Sequence, residues 1–290
     1  MGATLLERAP AKINLTLRVC GRRADGYHEV ESLVAFADVA DNLKLQPDPE
    51  DRLEVTGPFA GMSGPSSENL VLKACAALRD RFGSLKGGYF LLEKNIPVAA
   101  GLGGGSSDAA AALRLLARAN GLSLDDDRFM SAARAVGADV PVCLDPRLRI
   151  MRGVGEVLSR PLDLPPLPAV LVNPGMPLAT RDVFARMTIE QRTRSVGDIP
   201  REFDTLIEFL KRDGNDLTTA ASACAPIITE VLDTLQSLPA VQLARMSGSG
   251  ATCFALFRTP TEAAAAAQRL SEKKSWWLRT TSLGPGVAVA

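Results

Sequence analysis

PVAAGLGGGSSDAAAAL, residues 97–113, sets four glycines beside two serines and runs straight into alanines. Two readings compete for it. A Gly/Ser-rich run is a flexible linker when its flanks are polar and irregular. It is an anion cradle when a strand leads in and a helix leads out. Here GYFLLE (88–93) has strand character and Ile96-Pro97-Val98 leads in. A helical stretch over 106–119, stopped by Asn120-Gly121, leads out. Gly101, Gly103, Gly104 and Gly105 let the backbone approach a ligand closely. Ser106 and Ser107 stand at the predicted helix start, where hydroxyls cap free N–H groups and the helix dipole places about half a positive charge. Asp108 in the first turn suits that dipole or lies near a bound cation, and Ala109 to Ala112 keep the helix thin. The segment therefore reads as a phosphate cradle. It is neither of two familiar ones: no Gly-Lys-Ser or Gly-Lys-Thr occurs in the chain, and GxGxxG would need glycine where Ser106 stands.

Bulk properties narrow the partners. The 290 residues suggest two domains, and 33 basic against 33 acidic side chains give a formal net charge of zero, which disfavours nucleic acid. An acidic small ligand would need a local cradle. Five scattered cysteines, with no CxxC pair and a single histidine, argue against structural zinc and fit a reducing compartment. The first twelve residues lack a signal-peptide pattern, and no stretch approaches the roughly 18 apolar residues of a membrane helix. The expectation is a cytoplasmic protein with no membrane partner.

PAKINLTLRV (10–19) alternates with period two, which predicts a half-buried strand. Lys12 and Asn14 then share its polar face, roughly 7 Å apart. Ala24-Asp25-Gly26 turns into Tyr27-His28, and short strands are expected at 33–39, 43–45 and 53–55. Helices are predicted from Ser66-Ser67-Glu68-Asn69 to Gly83 and over 125–136, with ADVPVCL (138–144) extended. A proline-rich texture begins near 155, placing a division there, with domains at 1–155 and 156–290. Beyond it, helices are expected near 180–186, 202–212, 226–237 and 261–272, and strands at 168–172, 241–245, 252–257 and 276–282. Strands and helices mix without strict alternation, so the fold class is α+β.

Three segments now stand in order: PAKINL (10–15), Pro97 through Asp108, and Met246-Ser247-Gly248-Ser249-Gly250-Ala251. Their order and separation resemble the three motifs of the GHMP kinase superfamily. Together with DGYH (25–28) and GADVPVCL (137–144), they resemble its branch that acts on a cytidine-diphosphate-linked sugar alcohol in the non-mevalonate isoprenoid route. The resemblance covers almost the whole chain. It implies an ATP half like the second domain of ribosomal protein S5, a ferredoxin-like substrate half, and a site in the cleft between them.

Site roles follow from that resemblance, position by position. Asp139 matches the catalytic aspartate that accepts the hydroxyl proton, and Lys12 the lysine paired with it. Pro97, Val98, Ala99, Ala100, Gly101, Leu102, Gly103, Gly104, Gly105, Ser106 and Ser107 would wrap the ATP phosphates, with Lys94 at the entrance and Asn69 near the adenine. Ser107 is the implied hydroxyl near Mg²⁺, the implied metal; the chain offers no obvious carboxylate pair for it. Tyr27 and Phe184 would sandwich the cytosine, with His28 as its hydrogen-bonding partner. Asn14, Thr180, Gly248, Ser249 and Gly250 would line the substrate channel. The expected assembly is a monomer or weak homodimer. Ala99-Ala100 departs from the pattern, since some relatives carry glycines there.

Taken singly, most of these residues have plainer explanations: a solvated strand lysine for Lys12, a turn or cap for Asp139, ordinary packing for Tyr27 and Phe184. Two other functions stay open on the sequence. A GHMP kinase for a small substrate such as homoserine or a mevalonate derivative would need no base sandwich. A nucleotide-binding module without catalysis would not need Lys12 and Asp139.

Overall fold

The computed structural model describes residues 3–188, 197–272 and 275–284. β1 (Leu5–Asn14) and β2 (Arg18–Arg22) pair antiparallel with β3 (His28–Pro47), a single strand of 20 residues where the sequence suggests short pieces. β4 (Arg52–Thr56) leads through two short 3-10 turns to α1 (Leu70–Phe82). β5 (Gly88–Glu93) precedes the glycine loop, which opens α2 (Gly104–Asn120). α3 (Asp127–Val136) and α4 (Val140–Leu144) follow. The ADVPVCL stretch, expected to be extended, supplies α4: Pro141 sits at its first turn, where a missing N–H costs nothing.

The hairpin β6 (Arg149–Gly153) and β7 (Val157–Leu158) closes on the far edge of β3. A division at 155/156 would cut this hairpin. We propose that the passage between the halves is the stretch 159–166. The second half then runs β8 (Leu167–Asn173), α5 (Thr180–Arg186), α6 (Phe203–Arg212), α7 (Thr218–Cys224), α8 (Ile227–Gln236), β9 (Leu243–Met246), β10 (Cys253–Leu256), α9 (Pro260–Leu270) and β11 (Trp277–Gly284). Its strand order β11-β8-β10-β9, all antiparallel neighbours, is the β-α-β-β-α-β arrangement of ferredoxin-like folds. β11 also pairs with β3 at Leu283 and Gly284, so both halves share one sheet.

The polar face predicted for β1 is not solvated. Ala11, Ile13 and Leu15 pack into a core that includes Leu171, Leu206 and Phe254 of the second half. Lys12, Asn14 and Thr16, on the other parity, are buried as well. Period two signals opposite faces, and here the second face lines the cleft instead of water. α2 runs through the middle of the first half, with every residue from Ser107 to Ala117 buried. The alanines allow that close packing. Arg114, buried within it, is held by the Glu7 carboxylate and the carbonyls of Arg8 and Cys143, which satisfies its charge. Among the described residues no helix is long and apolar enough to cross a membrane.

Candidate active site

α2 begins two residues earlier than its sequence suggests. Gly103, in the left-handed region at φ 60°, is the N-cap, and no side chain caps the helix. Ser106 and Ser107 therefore lie inside the first turn. The N–H groups of Gly104, Gly105 and Ser106 have no intrahelical acceptor, and they meet the positive end of a 17-residue helix. Around them opens a cavity of about 290 Å³, lined by Asn69, Lys94, Pro97 to Gly101, Gly103 to Ser106 and Asp108. Leu102 is buried beneath the loop, and its carbonyl accepts from the Lys12 N–H at 2.8 Å. Ala99 takes φ 52°, a conformation that costs an alanine more than it would a glycine. Asn69 lines this cavity while its side chain caps α1 through the Val71 N–H at 3.0 Å.

A second cavity, of about 710 Å³, meets the first at Gly101, Gly103 and Ser106. Lys12 and Asp139 stand on its wall with Nζ and Oδ2 2.6 Å apart. Asp139 occupies the N-cap position of α4, yet its side chain makes no capping bond. It is thereby free to pair with Lys12, 127 residues away. The lysine is 5% exposed and the aspartate 32%, so the ammonium is held from below and the carboxylate faces the cavity. Gly103 makes room for this: a Cβ there would sit 3.1 Å from the Lys12 Cβ.

The far end of the larger cavity carries Tyr27, His28 and Phe184. Phe184 stacks on His28 with centroids 4.6 Å apart and planes at 23°, and Tyr27 is 62% exposed. Burial, then the Arg22 guanidinium, holds His28 below the ordinary imidazole value. That favours its neutral form, which has one donor and one acceptor nitrogen.

The third motif joins the other two. The Ser247 hydroxyl donates to the Gly101 carbonyl at 2.9 Å and accepts from the Asn14 N–H at 3.1 Å. Thr180 and Ser249 share a hydrogen bond at 2.9 Å, and Asn215 holds the loop by donating to the carbonyls of Met246 and Gly248. Gly248 and Gly250 both have positive φ. The Asn14 amide donates to Ser32 while its Oδ1, buried on the cavity wall, has no partner. Ser247 stands inside a quoted motif, whereas nothing local in the sequence marks Asn215.

One expectation needs correction. Ser107 does not offer its hydroxyl to a metal: it is 1% exposed, and its Oγ donates to the Pro10 carbonyl at 2.7 Å. Ser106, one residue earlier, is the serine that lines both cavities. Lys94 lines the smaller cavity. It is 4% exposed and bonded to the carboxylates of Asp41 and Asp108. Burial pushes the Asp108 carboxyl up to about 7 against the pull of Lys94. Among the described residues no group of three or more His, Cys, Asp or Glu could hold a metal ion. With its hydroxyl buried and already donated to Pro10, Ser107 does not fit as an Mg²⁺ ligand.

A glycine-lined hollow opening onto an ammonium–carboxylate pair, within this two-part sheet, defines a small-molecule kinase of the GHMP class. Residues 69–145 match the GHMP kinases N terminal domain and residues 181–275 the GHMP kinases C terminal domain. The 4-diphosphocytidyl-2-C-methyl-D-erythritol kinase of Rhodopseudomonas palustris (strain BisB5) is 52% identical, over 96% of this chain and 99% of its own. That of Methylorubrum extorquens is also 52% identical, over 97% of this chain and 99% of its own. A crystal structure of 4-(cytidine 5'-diphospho)-2C-methyl-D-erythritol kinase superposes with a TM-score of 0.78 at 36% identity, covering 97% of this chain and all of that one. The chain belongs to the 4-diphosphocytidyl-2-C-methyl-D-erythritol kinase family.

Proposed function

We propose that the chain transfers the terminal phosphoryl group of ATP to the 2-hydroxyl of 4-diphosphocytidyl-2-C-methyl-D-erythritol, in the non-mevalonate route to isoprenoids. One observation carries this reading: the two cavities share Gly101, Gly103 and Ser106, and the Lys12–Asp139 pair stands on the wall of the larger one. A phosphate chain on the free N–H groups of α2 would end where an alcohol in the larger cavity meets Asp139. Phosphoryl transfer passes through a loose transition state, so positioning and charge matter most. Asp139 accepts the hydroxyl proton as the new bond to phosphorus forms. Lys12 keeps the carboxylate oriented and offsets charge on the transferring group. Asn14, on the same wall and bonded to Ser32 and Ser247, helps shape the channel beside the pair.

The other end of the cavity selects the base. A cytosine edge presents a donor and acceptors, which a neutral His28 complements, and the aromatic rings take its faces. ADP release measured with a panel of alcohols tests the substrate: turnover with the cytidine compound and none with homoserine or mevalonate is expected, and the reverse pattern overturns it. Tyr27→Ala and Phe184→Ala should each raise KM for the cytidine substrate about tenfold or more while sparing that for ATP. Equal losses for both substrates would point to misfolding.

The pH dependence has a defined sign. His28 is neutral above its lowered pKa and becomes charged as pH falls through it. KM for the cytidine substrate should stay flat from about pH 7 to 8 and rise only below the ordinary imidazole value of about 6.5. In His28→Gln that acid-side rise should vanish. A rise centred above pH 7 in the wild type would remove His28 from the role.

A further inference from the structure

Three buried ionisable groups under the glycine loop stand outside the chemistry assigned above. Asp41 of β3 is fully buried, with the parity of Leu43 and Leu45 in an apolar alternation. One of its carboxylate oxygens accepts from the backbone N–H groups of Asn95 and Ile96, at 2.5 and 2.8 Å, and the other from Lys94 Nζ. Lys94 Nζ also donates to Asp108 Oδ2 of α2 at 2.7 Å. The Lys94 backbone is fixed in turn by the Thr56 carbonyl at 2.8 Å. One carboxylate–ammonium–carboxylate chain therefore ties the entry of the loop, residues 94–96, to the second turn of α2, which follows its exit; Asp108 lies there and not in the first turn that the sequence suggests.

Stability does not account for this arrangement. Two carboxyl groups share one ammonium, burial and the neighbouring Asp41 push Asp108 toward its protonated form against the pull of Lys94, and Asp108 Oδ1 has no partner. Burying charge with an unsatisfied oxygen is costly, and apolar side chains of similar size would hold the same elements together. Its place is informative: Lys94 and Asp108 both line the smaller cavity, and a Cβ on Gly104 would lie 3.4 Å from Lys94 Nζ. An ammonium has three donors, of which the carboxylates take two.

We infer that Asp41 and Asp108 are positioning residues for the nucleotide: they fix Lys94 beneath the glycine loop, with its remaining donor toward the phosphates, and lock the two stems of the loop to each other. This rests on the reading of the smaller cavity as the ATP phosphate site. A field effect and a positioning effect have opposite signs here. Removing a negative charge beside an anion site would tighten nucleotide binding by its field alone, whereas loss of positioning weakens it.

Calorimetric titration with ADP of the wild type, Asp108→Asn, Lys94→Met and the double variant separates the two. Asp108→Asn should bind ADP about tenfold more weakly, and Lys94→Met roughly thirtyfold, as for loss of charge-assisted hydrogen bonds. The double variant should match Lys94→Met within about threefold, because Asp108 acts through Lys94. KM for the cytidine substrate should move less than about twofold in Asp108→Asn, a split that general loosening of the fold would not produce. If Asp108→Asn does not fold, Asp108→Ser is read in the same way. Unchanged or tighter ADP binding by the Asp108 variant, or effects that multiply in the double variant, overturns the inference alone. A wild type that binds no ADP overturns the phosphate-site reading with it.

Discussion

Asp139→Asn should lower kcat by roughly a thousandfold, within the range of about 10²–10⁴ for a positioned proton acceptor. KM for ATP and the fold should be nearly unchanged. The replacement keeps the shape of the side chain and removes its ability to take a proton. It also leaves Lys12 without its carboxylate, 2.6 Å away in the wild type. Breaking a fully buried pair costs about 3–5 kcal/mol. Asp139 is 32% exposed, so solvent reduces that cost to roughly 1 kcal/mol, or about 2–4 °C in Tm. Steady-state kinetics with a thermal melt checks both halves: turnover within a few-fold of wild type would remove Asp139 from its role, and loss of the folding transition would make the kinetics a stability effect.

Gly101→Ala should be as damaging for a different reason. Gly101 has φ +75°, and a Cβ there would lie 2.3 Å from the Ser247 carbonyl oxygen and 2.9 Å from Gly250 N. Both partners are backbone, so neither can swing aside. A left-handed alanine costs about 1–2 kcal/mol and overpacking about 1–3, together roughly 2–5. The third motif would be pushed off the glycine loop, and the bond from the Ser247 hydroxyl to Gly101 would go with it. A displacement of about 1 Å there is enough to cost about a hundredfold in kcat/KM. Gly121→Ala, at the C-cap of α2 and outside both cavities, is the control: it has the same left-handed backbone (φ +60°) but nothing within 4 Å of its Cβ. Comparable losses of kcat/KM in both variants would mean that the left-handed alanine alone is responsible, and the contact with Ser247 would lose its explanatory place.

Those two residues illustrate what the sequence discloses. Gly101 belongs to a local pattern, glycines between a strand and a helix, whose physics can be read without neighbours. Asp139 does not. Its pairing with Lys12 closes over 127 residues of chain, and only the resemblance to known kinases connects them. The helices α5, α6, α8 and α9 lie within two residues of their expected ends because each carries its own apolar periodicity. β3 is less legible. Polar residues along its 20-residue run, Asp38, Asp41 and Asn42 among them, look like turns until its several strand partners are present. α7, in TTAASAC, has small side chains with no strong stripe, and the sequence reading contains no helix there. Lys94 is half legible: its strand parity with Phe90 and Leu92 correctly indicates burial of the stem, while the carboxylate that keeps its head buried lies 53 residues earlier. Side-chain partners of this kind are set by sheet register, which local pattern does not encode.

The stacking of His28 on Phe184 has a consequence for binding order. On the proposed reading, with those rings already in contact, a base would enter by parting them or by covering their outer face, and the exposed Tyr27 would close over it. The substrate half thus differs from the phosphate half, where the loop, α2 and the third motif are already bonded to each other.

The most direct test is a crystal structure of the ternary complex with a non-hydrolysable ATP analogue and the cytidine substrate. The account predicts the phosphates on the N–H groups of residues 104–106, the base of the substrate against His28 and Phe184, and its hydroxyl within hydrogen-bonding distance of an Asp139 carboxylate oxygen. A nucleotide seated elsewhere with the glycine-lined hollow left out of contact, or a substrate hydroxyl bound far from Asp139, would contradict it.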